Sequence, residues 1–261
     1  MKIHEFYRGS ANITLNGSIA ALVPAIIIGV GNLYYFHNKQ IMLLMIPFVV
    51  YSFISFQIYL YRLKQAIAID RNMPQMTSNY HSLFEARHLV VVFMNQQESS
   101  VHLFYPDGHQ AGMIKRYRQK GFYLFRKPRI YALYNNQNQP VGFFKIKKVK
   151  SLIIEVYDHN KRYLGCFEKD RVTWLKTKKE MLDESGRYVG SVEGSNYFMD
   201  ERVLDQSRQQ VGRLRRGWMP VEWNSRFPEP NTPVLSLSEN LSEKDKLLRM
   251  SFLINEYFIE R

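Results

Sequence analysis

Two long apolar runs dominate the first quarter of the chain. Residues 18–36 form a run of nineteen residues without a charge, and residues 41–61 form a second of twenty-one. Each has the roughly 20 residues that a helix needs to cross about 30 Å of hydrocarbon. Only residues 37–40 separate them, which is enough for a tight turn. The pattern therefore predicts a transmembrane helical hairpin over residues 1–61.

The charges that flank these runs predict their orientation. The basic residues on the side of the two ends are Lys2, Arg8, Arg62, Lys64 and Arg71, whereas the turn offers only Lys39. Cytoplasmic loops of membrane proteins carry the excess of Lys and Arg. We therefore expect a multi-pass protein of the cell membrane with both termini in the cytoplasm. Pro24 and Pro47 lie within the runs, and we expect both to kink their helices.

The hydrophobic period changes from helical to strand-like after the hairpin. Residues 62–81 read as a helical exit and a linker broken at Pro74, so a second domain is expected over residues 82–261. About a dozen short apolar runs follow between His88 and Arg216. Examples are HLVVVFM (88–94), FYLF (122–125), SLIIEVY (151–157) and NYFM (196–199).

A turn motif recurs between these runs. An Asx residue precedes a glycine by seven positions in residues 134–142, 157–165, 182–190 and 204–212, and residues 105–112 form a shorter copy. The motif predicts a strand end, an Asx-initiated turn and a returning strand. The glycine falls on the apolar face of that strand, where it either leaves room for a close approach or marks a bulge.

The last stretch, residues 242–261, has the pattern of a buried helix. Ser242 and Asp245 resemble a capping box, and the apolar residues after Leu247 point in nearly every direction around the helix. A wide barrel needs such an element to fill its interior. The predicted fold class is thus mainly β: a closed antiparallel barrel of about twelve strands around a buried C-terminal helix.

The repeated turns and the apolar tail together resemble the tubby C-terminal-like superfamily, which includes tubby proteins and phospholipid scramblases. The matching stretches are LDESGRYVGSV, LDQSRQQVGRL, YDHNKRYLGCF and the tail LLRMSFLINEYFIER. The resemblance covers residues 82–261 and implies a twelve-stranded barrel around a central helix, with lipid binding or lipid movement as functions. No residue matches a headgroup ligand of the family one to one, and the N-terminal spans depart from its pattern.

Most of the net charge of +13 belongs to the second part of the chain, since residues 62–261 carry 33 bases and 22 acids, or +11. Such an excess suits an anionic surface, and a solvated basic face is the alternative. The candidate lipid-binding residues are Lys115, Arg116, Arg118, Lys145, Lys147, Lys148, Lys150, Arg213, Arg215 and Arg216. The hypothesis requires that several of them share one face.

Catalytic and cofactor patterns are absent from the sequence. The seven histidines are scattered, and no zinc spacing, Walker loop or nucleophile elbow occurs. Cys166 is the only cysteine and reads as a small buried thiol. Trp218 and Trp223 read as core or barrel-rim residues, and residues 218–240 as a proline-rich connector. We expect no enzyme activity, no metal and no cofactor.

The sequence therefore favours a membrane-anchored cytoplasmic module that binds or senses anionic phospholipid headgroups or a membrane-protein partner at the inner face. The alternative is a lipid-moving, scramblase-like or transport-accessory protein. The absence of charges within residues 18–36 and 41–61 counts against that alternative. Nucleic acid is not an expected partner, because a membrane-tethered domain seldom needs it.

Overall fold

The computed structural model describes residues 1–73, 82–95, 98–118, 129–148, 151–171, 177–194 and 200–260. It divides into two compact units, Met1–Pro74 and Gln75–Arg261. The strands predicted over residues 122–125 and 196–199 and the candidate residue Lys150 lie outside the described residues.

The first unit consists of helices: α1 (Ile3–Gly31), a π-helical turn (Asn32–Phe36), α2 (Lys39–Leu43) and α3 (Ile46–Asn72). Two stretches, Ile3–Tyr35 and Lys39–Asn72, are long and apolar enough to cross a membrane. They exceed the predicted runs because the polar residues on either side of each run continue the helix. His37 takes a left-handed conformation at the turn between them.

Small residues mediate the contact between α1 and α3. Ala11, Ser18 and Ala25 are buried on α1 at a spacing of seven, and Ser52 and Ser55 are buried on α3. The Ser18 hydroxyl donates to the Ser52 carbonyl oxygen at 2.9 Å. Small side chains let helices approach closely. The hydrogen bond satisfies polar groups that would find no water to bond with inside a bilayer.

The two prolines in the apolar runs occupy different positions. Pro24 lies inside α1, as predicted, whereas Pro47 is the second residue of α3. The helix is interrupted just before Pro47, because the proline has no N–H to donate to the Leu43 carbonyl oxygen four residues earlier. Pro47 therefore marks a break between α2 and α3 and lies in the first turn of the new helix.

The described residues of the second unit form twelve strands. They are β1 (His88–Asn95), β2 (Ser99–Phe104), β3 (Gln110–Arg116), β4 (Arg129–Asn135), β5 (Pro140–Lys148), β6 (Leu152–Asp158), β7 (Tyr163–Arg171), β8 (Thr177–Asp183), β9 (Tyr188–Gly194), β10 (Asp200–Asp205), β11 (Gln210–Arg215) and β12 (Val234–Leu237). Each strand pairs antiparallel with its neighbours in sequence, and β12 pairs with β1. The predicted closed antiparallel barrel of twelve strands is confirmed.

The barrel has two distinct ends. Five short turns, at residues 105–109, 135–139, 158–162, 183–187 and 205–209, join the strands at one end, which we call the turn end. The odd-numbered strands β3 to β11 run away from it. They finish at residues 116, 148, 171, 194 and 215, at what we call the far end.

The five turns at the turn end share one hydrogen-bonding pattern. In the 158–162 turn, the Asp158 amide donates to the Arg162 carbonyl oxygen and the Lys161 amide to the Asp158 carbonyl oxygen, both at 3.0 Å. The Asp158 carboxylate also accepts from the Arg162 amide at 2.8 Å. The fourth residue of every turn has a positive φ, at Gly108, Asn138, Lys161, Gly186 and Arg208. The recurring Asx therefore caps its own turn, as the motif predicts.

A bulge and a close approach both occur at the motif glycines. Strand pairing skips one residue just before each of them, as where Val156 pairs with Gly165 but Tyr157 pairs with Tyr163. At Gly142 an added Cβ would lie 2.5 Å from Leu247 Cδ2, and at Gly190 it would lie 2.1 Å from the Leu204 carbonyl oxygen. Both readings of the glycine are thus confirmed. The bulges add local twist, which helps the sheet to close.

The C-terminal segment is two short helices rather than the single helix predicted. They are α4 (Glu243–Met250) and α5 (Phe252–Phe258), separated at Ser251. The Ser242 hydroxyl accepts from the Asp245 amide at 3.2 Å, which confirms the predicted start. The Ser251 hydroxyl donates to the Leu248 carbonyl oxygen at 2.5 Å, and such back-bonding competes with the regular helical pattern.

Both C-terminal helices are buried. Their apolar side chains belong to the same core cluster as residues of most of the strands, including Ile114, Leu133, Phe144 and Phe167. The members from the C-terminal segment are Leu247, Leu248, Met250, Phe252, Leu253, Ile254 and Tyr257. The segment is therefore an integral part of the hydrophobic core.

The proline-rich connector predicted over residues 218–240 contains more structure than expected. Val234–Leu237 is strand β12, which closes the barrel, and Val221–Trp223 is a 3-10 turn. Four residues between prolines and polar residues are too few for a clear alternation, so the strand was missed.

Residues 216–233 cover part of the outer barrel surface. Phe227 is buried and meets Phe104 of β2 edge-on at 6.3 Å, and the Arg226 guanidinium donates to the Pro106 carbonyl oxygen at 2.8 Å. His102 stacks on Phe104 in the same layer. Burial and the nearby Lys115 charge lower the pKa of His102 to about 4. A small second core therefore lies outside the barrel wall.

We predict that Gly142→Ala destabilises the second unit through Leu247. The new methyl group would overlap the Leu247 side chain, at a cost of about 1–3 kcal/mol. The measurement is the thermal unfolding midpoint of the full-length protein in detergent micelles for G142A, L247A and G142A/L247A. L247A alone loses core packing, but it should remove the overlap, so the double variant should be more stable than additivity allows. Strict additivity would contradict the contact.

We also predict that stability falls as the pH falls from about 6.5 to 4. The folded state keeps His102 neutral, whereas the unfolded chain accepts a proton in this range. The free energy of unfolding therefore falls by on the order of 3 kcal/mol. His102→Gln should flatten this part of the curve of unfolding midpoint against pH. His159→Gln, which removes an exposed imidazole, is the control. Equal slopes for both variants would contradict the assignment.

Candidate functional site

Basic side chains concentrate at the far end of the barrel. Those on the strand termini there are Lys115, Arg116, Arg118, Arg129, Lys147, Lys148, Lys169, Arg171, Lys178, Lys179, Arg202, Arg213, Arg215 and Arg216. The acids near the same end are Glu98, Glu155, Glu168, Asp170, Glu180, Glu193, Asp200, Glu201, Glu256 and Glu260, so the bases still outnumber them. In the five turns at the turn end, by contrast, five acids face four bases. The excess positive charge is therefore localised.

Ion pairs neutralise part of this charge. The pairs are Arg118–Glu98, Lys147–Glu155, Lys169–Glu260, Lys178–Glu180, Lys179–Glu201, Lys179–Glu256 and Arg213–Asp200. The exposed cations without an ion pair among the described residues of this end are Arg116, Arg129, Lys148, Arg171, Arg202 and Arg216. We call these six the free cations.

The barrel separates the sequence-predicted candidates into two groups. Arg116 lies on β3 and Lys148 on β5, whereas Arg213 and Arg215 lie on β11. Strands β5 and β11 are six positions apart around the twelve-stranded barrel, which places them on opposite walls. One side of the barrel cannot present both groups. The far end, where all of these strands terminate, is the only surface that they share.

Candidates on β3 and β5 are partly engaged with neighbours. The Lys147 ammonium lies 2.5 Å from Glu155 Oε1, and the Lys145 ammonium lies 3.8 Å from Glu155 Oε2. Burial raises the pKa of Glu155, but the hydrogen bonds from Lys147 and Tyr157 outweigh it and hold that pKa below its usual value. The Lys115 ammonium sits 4.6 Å from the centre of the Tyr134 ring.

The candidates on β11 line a groove of about 650 Å³ on the outer barrel surface. Its walls include Arg213 and Arg215 from β11, Ser236 from β12, His88 from β1, and Trp218 and Trp223 from the segment that follows β11. Arg213 makes two bonds of 2.7 Å to the Asp200 carboxylate, so its charge is satisfied. The groove thus combines one paired arginine with a stacked one and two indole rings.

Arg215 stacks on an aromatic ring instead of an acid. Its guanidinium carbon lies 3.4 Å from the centre of the Trp218 ring, which is close enough for a cation–π contact. Stacking leaves the edge of the guanidinium, with its N–H donors, available to an anion. Arg216 is exposed beside it. This pair is the part of the β11 group best suited to binding a phosphate.

A histidine and a serine meet on the floor of the groove. His88 Nδ1 and Ser236 Oγ are 2.8 Å apart, and the His88 ring lies 6.0 Å from that of Trp223. Burial and the charge of Arg87 lower the pKa of His88, so the ring is neutral near pH 7. A neutral imidazole and a hydroxyl can each donate or accept a hydrogen bond, which suits a polar ligand.

Trp218 is the most unusual residue of this region. It was expected in the core or at the barrel rim, and its exposure of 67% excludes the core. The adjacent Arg215 and Arg216 were the available signal, since aromatic and basic residues next to each other favour a surface role. Among the described residues, no three His, Cys, Asp or Glu side chains gather as metal ligands would.

Comparisons with known proteins give little further information. No protein-family model matches the chain, and no curated protein matches significantly. One solved structure, an X-ray structure of a protein from Arabidopsis thaliana, covers 66% of this chain and 94% of its own, with 13% identity and a TM-score of 0.38. A likeness of that size assigns neither fold nor function to this protein.

Proposed function

We propose that this protein is a membrane-anchored, non-enzymatic module whose cytoplasmic barrel binds anionic phospholipid headgroups at the inner membrane face. The observation that carries the proposal is the group of free cations at one end of the barrel. Each such residue near an anionic bilayer contributes about 1 kcal/mol of attraction. Six of them at one end together provide enough electrostatic attraction to hold that end against an anionic bilayer.

The anchor part of the proposal rests on the helical hairpin. Both helices are long and apolar enough to span, and the charges at their open ends outnumber the single lysine at the turn. We therefore propose a hairpin with both termini in the cytoplasm. The tether holds the barrel close to the bilayer, so even a weak surface can bind, because the effective concentration of lipid is high.

We further propose that α4 and α5 occupy the barrel interior, as in the tubby C-terminal-like superfamily that the sequence resembles. The contacts of the segment run from Leu247, beside Gly142 near the turn end, to Glu260, which pairs with Lys169 near the far end. These contacts support a path along the barrel axis. A barrel filled in this way presents a rigid set of strand termini to the membrane.

The orientation can be tested with single cysteines, because Cys166 is the only native one. In a Cys166→Ser background, Lys39→Cys should react with an impermeant maleimide added to intact cells. Gln137→Cys, in the 135–139 turn, should react only after the cells are permeabilised. The reverse pattern would place both termini outside and overturn the proposal.

The lipid proposal predicts charge-specific binding. Full-length protein in phosphatidylcholine nanodiscs should bind separate vesicles more tightly as their phosphatidylserine content rises, and less tightly as salt rises. The variant R116Q/K148Q/R216Q should lose about 3 kcal/mol, or on the order of 100-fold in affinity. Surface plasmon resonance on captured nanodiscs measures this.

The matched control removes three exposed cations from the turn end. K161N/R208N/K244Q changes the net charge equally, and asparagine suits the left-handed backbone at residues 161 and 208. This control should bind almost as the parent does. An equal loss of affinity in both triple variants would show that only the net charge matters. An affinity that does not change with phosphatidylserine content would favour a protein partner. Either result overturns the proposal.

A further inference from the structure

The second unit exposes very few large apolar side chains. Among its described residues they are Tyr188, Trp218 and Val221, exposed by 38%, 67% and 80%. Trp218 and Val221 lie three positions apart in the segment between β11 and β12. Leaving two such side chains in water is unfavourable, and burying them against another surface would recover that free energy. Their clustering on one segment therefore indicates a contact surface.

The backbone that carries these side chains is held firmly. The Trp223 amide donates to the Pro220 carbonyl oxygen at 3.0 Å and the Phe227 amide to the Trp223 carbonyl oxygen at 2.9 Å. Phe227 is buried against Phe104, and Arg226 bonds to the Pro106 carbonyl oxygen. Val221 thus lies within a hydrogen-bonded turn that is packed on the barrel, and Trp218 contacts Arg215 of β11 through its ring.

Charge decides what kind of partner fits this surface. Arg215 stacks on the Trp218 ring and Arg216 is an exposed free cation beside it. A tryptophan flanked by arginines matches the headgroup region of an anionic bilayer, where indole rings favour the boundary and basic groups meet phosphates. The two spanning helices would keep such a bilayer within reach of the barrel. A cytosolic partner has no comparable proximity.

We propose that residues 217–223, which we call the tryptophan loop, insert Trp218 and Val221 into the interfacial layer of the anionic inner leaflet. The loop then acts as a third membrane contact besides the two spans, and it fixes how the barrel faces the bilayer. The inference rests on the proposed function, because Arg215 and Arg216 must meet anionic headgroups for the loop to insert. It adds an apolar component that salt does not screen.

The test places a nitroxide spin label on the loop. Full-length C166S/V221C is labelled and reconstituted in nanodiscs that contain phosphatidylserine, and power saturation compares collisions with oxygen, which partitions into lipid, and with a water-soluble nickel chelate. The label at residue 221 should be accessible to oxygen and shielded from nickel. The matched control, C166S/Q137C, carries its label on the 135–139 turn and should remain accessible to nickel.

A second variant checks the apolar contribution. W218S/V221S removes both exposed apolar groups from the loop surface, so the fold should be retained and the affinity for phosphatidylserine vesicles should fall several-fold. The slope of affinity against salt should stay close to that of the parent, because the charges remain. Unchanged affinity would overturn the insertion.

The two proposals fail in distinguishable ways. A label at residue 221 that stays accessible to nickel, while binding still depends on phosphatidylserine and salt, overturns insertion and leaves the lipid-binding function intact. A label shielded from both oxygen and nickel indicates a protein contact and also overturns insertion. A label accessible to oxygen in neutral and anionic nanodiscs alike supports insertion but refutes its dependence on anionic lipid.

Discussion

The packing of the C-terminal segment against the strands is the contact on which the rest of the structure depends. Barrels of about eight strands are filled by their own side chains, whereas wider barrels enclose more space than those side chains fill. In this chain α4 and α5 contribute seven apolar side chains to the core cluster of the strands. Without them, the inward side chains of most of the strands would lose the apolar surface on which they pack.

Polar groups of the segment fix its position as firmly as its apolar ones. The buried Lys246 ammonium donates to the Phe84 carbonyl oxygen at 2.6 Å, and the buried Arg249 guanidinium lies 3.4 Å from the Leu204 and Val189 carbonyl oxygens. Lys179 on β8 bonds to Glu256 at 2.9 Å and to Glu201 at 3.2 Å. A buried charge without its partner costs several kcal/mol, so any shift of the segment along its axis is strongly disfavoured.

Much of this architecture could be predicted from local sequence because its causes are local. An Asx side chain that accepts from amides two or four residues later defines a turn within five residues, as Asp183 does with Ser185 and Arg187. The long charge-free runs likewise identify the two helices that are long and apolar enough to cross a membrane. The strand that was missed depends on distant contacts, because β12 is a strand only through its pairing with β1 and β11. The separation of α4 from α5 at Ser251 is local, but it reflects a single side-chain bond to the Leu248 carbonyl oxygen, which no apolar pattern reveals.

The candidate site was harder to predict than the fold for the same reason. Lys145 and Arg213 look equivalent in the sequence, but the barrel places them on opposite walls and supplies each with an acid, Glu155 and Asp200. Arg216 and Lys148 look no different and remain without an ion pair among the described residues. Which cation is free depends on register, and register is set by the bulges and turns of neighbouring strands.

A tethered domain can use a surface that would be too weak for a free protein. In the proposed arrangement the two helices tether the barrel to the bilayer, so a few free cations and two apolar side chains would only have to favour one orientation of the barrel over the others. Electrostatic attraction of this kind weakens when salt rises or anionic lipid is depleted, whereas the apolar contribution of Trp218 does not. A barrel that binds in the proposed way would make its contact where anionic headgroups accumulate, and the inserted side chains would then hold it there when salt rises, which is the behaviour expected of a sensor of local lipid composition.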